Sequence, residues 1–147
     1  MPITAEGRVV AHISGVHEHL LLEYIVELVR ASNALRLKSN GPHLSDRNTL
    51  CEICDEIDSA IDTLKRFACK QDNMLNKADV AFHSLYMIAV SWPQKDTLCP
   101  TDEVYPFIRL VEVMYAFLTG AVTDNPVDIV SQELCTAGLV RNGGVWI

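Results

Sequence analysis

Apolar residues recur along most of this chain at the 3.6-residue spacing of helices that bury one face. From Val16 to about Leu37, the positions Leu21, Ile25, Leu28 and Val29 share a stripe, while His19, Glu23, Glu27 and Arg30 line a polar one. Asn40-Gly41-Pro42 then stops the pattern. The clearest amphipathic segment spans about 46–69, with Ser45 or Asp46 as N-cap and Leu50, Ile53, Ile57, Ala60, Ile61, Leu64, Phe67 and Ala68 on one face. A third helix is predicted near 74–92 and ends before Pro93. Its second half, Leu85 to Val90, is apolar almost all round, which predicts burial on several sides, within the domain or against another subunit.

Thr101 or Asp102 is positioned to cap a fourth helix near 102–119, where Pro106 is tolerated because first-turn amides have no intrahelical partner. Gly120 closes it, and Asn125-Pro126 opens a fifth helix near 126–137 that Gly138 ends. Residues 7–14 alternate weakly through Val9, Ala11 and Ile13, and the tail carries an Asn142-Gly143 turn signal between Val140 and Val145-Trp146-Ile147. These patterns predict an all-α fold: a single-domain bundle of four to five helices over residues 1–147, with a small β ribbon formed by the two termini. Short connections and the lack of internal repeats support one unit.

Composition narrows the function classes. Hydrophobic residues make up 49% of the 147 positions, enough for a core and too many for a disordered chain. A net charge of −7 repels phosphate backbones and anionic headgroups, and the densest cationic cluster, Lys65, Arg66 and Lys70, is interleaved with Asp62 and Asp72. Neither direct nucleic-acid binding nor membrane association is expected. The fourth and fifth helices have helix-turn-helix spacing, yet the would-be reading helix presents Asp128, Gln132 and Glu133 and no cation before Arg141. The first residues lack an export signal, and five cysteines is an odd count for a disulfide framework, so a reducing cytoplasm is the expected location.

Candidate chemistry is sparse. Cys51-Glu52-Ile53-Cys54 has the spacing of a redox or metal pair, and His43 in the preceding loop is the nearest third ligand. Glu52, Asp55 and Glu56 around the thiols disfavour thiolate, and no second CxxC completes a zinc set. His17-Glu18-His19 separates its imidazoles by about 200° on a helix, which suits a helix start and a surface position better than a metal. Asp79 and His83, one turn apart, can form a structural pair. No phosphate loop, zinc-protease motif or nucleophile elbow occurs, so no cofactor is implied and a non-enzymatic role is expected.

Two surface features remain. Glu52, Asp55, Glu56, Asp58 and Asp62 fill an arc of roughly 160° on the outer face of the second helix, suited either to solvent or to a basic protein partner. Tyr86, Met87, Val113, Met114, Tyr115 and Phe117 give the third and fourth helices apolar surface in two directions, which predicts a homodimer through those helices or a ligand pocket between them. The expected function is regulatory protein-protein interaction with a basic partner, with a small-molecule sensor and a thiol redox or metal protein as alternatives.

Overall fold

The computed structural model describes residues 12–39, 47–69, 75–93, 95–142 and 145–146. Five α-helices run in order: α1 Glu18–Ser39, α2 Arg47–Ala68, α3 Leu75–Val90, α4 Tyr105–Leu118 and α5 Pro126–Thr136. Each boundary lies within a few residues of the predicted one, and the differences have local causes. His17 starts α1: its Nδ1 accepts the His19 amide at 3.2 Å, while its carbonyl accepts the Leu21 amide at 2.9 Å. The fourth helix begins at Tyr105 rather than 102 because the Asp102 carboxylate turns back to accept the Cys99 amide at 2.8 Å, closing a turn ahead of the helix. Asn125 caps α5 as expected, its side chain accepting the Val127 amide at 2.9 Å, and Gly120 and Gly138 take the positive φ that ends α4 and α5.

Packing follows the apolar stripes. α2 lies between α1 and α3, α4 touches α1, α3 and α5, and one continuous core runs through all five. α1 contributes Leu21, Tyr24, Leu28 and Leu35, α2 contributes Cys54, Ile57, Ile61 and Leu64, and α3 contributes Ala78, Phe82, Leu85 and Ala89. With neighbours on three sides, α4 buries Phe107, Ile108, Leu110, Val111, Val113 and Met114. Within the single chain, the second half of α3 is buried at Leu85 and Ala89 and only partly covered at Tyr86, Ile88 and Val90. α3 keeps an outer side, with Met87 half exposed and Val80 more so.

The ribbon between the termini takes another form among the described residues. β1, Arg141–Asn142, pairs antiparallel with β2, Val145–Trp146, so the tail folds back on itself, and Asn142, expected in the turn, stands opposite Val145. Ile13 and Ser14, expected to end a strand, instead enter the 3-10 turn Ile13–Gly15, in which the Val16 amide donates to the Ile13 carbonyl at 3.0 Å. The reason is tertiary: Ile13 is fully buried in the core and Asp79 of α3 holds the turn. Residues 1–11, which carry the rest of that expected strand, lie outside the described residues.

Candidate functional site

The outer face of α2 presents all five carboxylates expected there: Glu52, Asp55, Glu56, Asp58 and Asp62 are exposed. The arc is not uniform. On its α1 side, Arg36 reaches across from α1, donating through Nη2 to Asp55 Oδ1 at 3.3 Å and to Asp58 Oδ2. Asp58 also accepts the hydroxyl of Ser32 at 2.9 Å, and Ser32 is itself buried. Partial desolvation opposes the charge on Arg36, but the bonds to Asp55 and Asp58 prevail and raise its pKa. Farther round, Arg66 Nε meets Asp62 at 3.1 Å, one turn along the helix. Glu52 and Glu56 form no ion pair among the described residues. Asp58 therefore has a structural duty, while Glu52, Asp55, Glu56 and Asp62 hold their charge at the surface at little structural cost.

The six apolar positions expected on α3 and α4 divide into two groups. Val113 and Met114 belong to the core. Tyr86 and Tyr115 stack ring on ring across the α3–α4 seam, with centroids 4.2 Å apart and planes 15° from parallel. Burial first, then the neighbouring Tyr115 and Glu112, raise the Tyr86 phenol pKa. Met87 is half exposed and Phe117 partly covered. Of the six, Tyr86 and Tyr115 are thus brought into direct contact across the seam.

Cys54 is buried in the core, and the backbone of Cys51 lies in α2 one turn earlier; the Cys51 side chain and all of His43 lie outside the described residues. Among the described residues no three His, Cys, Asp or Glu side chains gather in a group able to hold a metal ion. Asp79, expected beside His83, turns instead to the chain's leading segment. It accepts the Ser14 amide at 3.0 Å, the Ser14 hydroxyl at 2.9 Å and His12 Nδ1 at 2.9 Å, while His83 is exposed. Serine and histidine both address the carboxylate directly, so histidine does not stand between hydroxyl and acid as a general base must. The cluster is a clasp.

Sequence reading also missed a half-buried charge network joining α4, α5 and the 95–97 turn. Arg109 donates from Nε and Nη2 to both oxygens of Glu133, at 3.0 and 2.7 Å, and from Nη1 to Glu112 at 3.4 Å. Lys95 Nζ meets Glu112 at 2.8 Å. The bonds to Glu133 and Glu112 raise the pKa of Arg109 and Lys95 respectively, fixing both as cations. The only sequence signal was a lone arginine one turn from Glu112 on a helix otherwise rich in apolar residues.

A narrow cleft of about 90 Å³ opens between α1, the 100–103 segment, α4 and α5, floored by Ala31, Leu110, Val130 and Leu134 and edged by Glu27, Arg30 and Glu103. That is room for a few water-sized groups, below the roughly 300 Å³ at which metabolite pockets begin. Every buried side-chain nitrogen and oxygen among the described residues has a hydrogen-bond partner, so no orphaned polar atom marks a binding point. No helix among the described residues is long and apolar enough to cross a membrane. No family model, curated protein or solved structure matches the chain.

Proposed function

We propose that the protein is a non-enzymatic binding protein whose acidic α2 face docks a basic segment of a partner. One observation carries the reading: five exposed carboxylates crowd one helix face, and among the described residues only Arg36 and Arg66 answer them with ion pairs. Like charges so close raise the local negative potential, which attracts lysine and arginine side chains and speeds their encounter. Sequence charge supports the same direction, since a chain at −7 selects cationic partners at long range.

The test is binding of a short lysine- and arginine-rich peptide, followed by fluorescence anisotropy over a salt series. The native chain should bind with an affinity that falls as salt screens the attraction. Replacing Glu52, Asp55 and Asp62 together with lysine should remove binding while helicity persists, because none of the three holds a buried group. Asp58 is left intact because the buried Ser32 hydroxyl depends on it. Affinity that is indifferent to salt, or that survives the triple replacement, refutes the reading.

A further inference from the structure

An open groove of about 650 Å³ runs between α2 and α3. The two helices pack together across only the short link from Ala68 to Leu75, so they are antiparallel. The groove thus sets Glu56 of α2 near Ser84 of α3 at one end and Arg66 near Lys77 at the other. Its floor between them consists of small side chains, Ser59, Ala60, Thr63 and Ala81. Small contact residues let helices approach closely. On the α3 wall, Val80 is 64% exposed, and Met87, two turns along the same stripe, is 50% exposed.

We infer that this groove is the contact surface of a homodimer, occupied by the α2–α3 pair of a second copy of the chain. Charge complementarity identifies the occupant. The groove is acidic at one end and basic at the other, so a two-fold axis lying across it lays α2 antiparallel on α2 of the second copy. Each Glu56 then meets Arg66 of the other copy, Ser59 faces Thr63 near the axis, and the two exposed Val80 side chains are covered beside them. A two-fold axis along the groove would gather both acidic ends together and both basic ends together, which repulsion opposes.

The Arg66–Asp62 pair does not prevent this, because side chains 62% and 56% exposed form a weak bond that a guanidinium leaves at little cost. The charge of −7 on each chain opposes association at a distance, but physiological salt screens it beyond about 8 Å, leaving contact pairs and apolar burial to decide. The homodimer expected from the sequence thus keeps α3 and exchanges α4 for α2. It covers Glu56, one of the five carboxylates of the acidic face, and leaves Asp55 and Asp58, which meet Arg36 of α1, outside the contact, so peptide binding and dimerisation are read out separately.

Sedimentation of the full chain over a micromolar-to-submillimolar range tests it. The native protein should rise from 16.4 kDa to twice that mass. Glu56→Arg and Arg66→Glu, each acting twice in a symmetric contact, should each raise the dimer dissociation constant about tenfold or more. The combined Glu56→Arg/Arg66→Glu chain restores the alternation of charge and should recover dimerisation. Val80→Asp should give monomer. Far-UV circular dichroism checks that each variant folds, and if Val80→Asp fails, the charge exchange decides alone. A native chain that stays monomeric overturns the proposal. So does a dimer indifferent to every variant, or a double exchange no better than its parents.

Discussion

Tyr24 carries a phenol into the centre of the core and donates its hydroxyl to the Leu110 carbonyl at 3.0 Å, tying α1 to α4. Burial raises its pKa well above the ordinary 10.0. The unfolded chain releases this proton from about pH 10 while the folded chain keeps it. The stability contribution is therefore full below pH 10 and is lost as pH climbs through the folded value. Tyr24→Phe should cost about 1 kcal/mol at neutral pH, since the Leu110 carbonyl loses its donor. It should also flatten the alkaline fall in stability measured by urea melts from pH 8 to 11. A variant that loses stability with alkali as steeply as the native chain would refute the assignment. At Asp79, three donors converge on one carboxylate, and Asp79→Ala should cost about 1–3 kcal/mol. The same change should speed hydrogen exchange at Ser14 and Val16 and leave α5 amides unaffected; unaltered exchange in the turn would contradict the clasp.

At the scale of elements, the joint between α4 and α5 rests on the forked bond from Arg109 to Glu133. Lysine keeps the charge but cannot present two parallel N–H groups, so Arg109→Lys should destabilise by about 1–2 kcal/mol in thermal or denaturant unfolding. By comparison, the Arg30–Glu27 pair within one turn of α1 is worth at most about 0.5 kcal/mol, and Arg30→Ala should be close to neutral. Equal costs for the two substitutions would mean that the fork adds nothing.

Helix positions were legible because periodicity is local: Leu21, Ile57 and Phe82 lie where a single stripe places them. What escaped reading depends on partners distant in sequence. Asp79 has His83 one turn away, yet its bonds go to residues 65 and 67 positions earlier, which no window contains. Val113 lies off the main stripe of α4 and is buried because α4 has neighbours on three sides. The acidic arc of α2 was visible as a run of carboxylates. Its division by Arg36 was not, because that arginine belongs to another helix. Asp102 shows the same limit at short range: a sound N-cap residue, it serves the preceding turn.

Across the whole molecule, the two proposed contacts use different sides of one helix. The edge of α2 next to α1 presents Asp55 and Asp58, and the edge next to α3 presents Glu56 and the groove. A dimer through the groove would carry two acidic edges facing outward, so a partner with two basic segments would bind more tightly than either segment alone. The Asp79 clasp and the Tyr24 bond also bear on how the chain is made. The turn at Ile13–Gly15 has its anchor in α3, and Tyr24 has its acceptor in α4, 86 positions downstream. Translation proceeds from the N-terminus at about 5–20 residues per second, so both early segments leave the ribosome seconds before their partners exist. For that interval Ile13 and Tyr24 are side chains awaiting a core, and the apolar stripe of nascent α1 is a surface that a chaperone can hold.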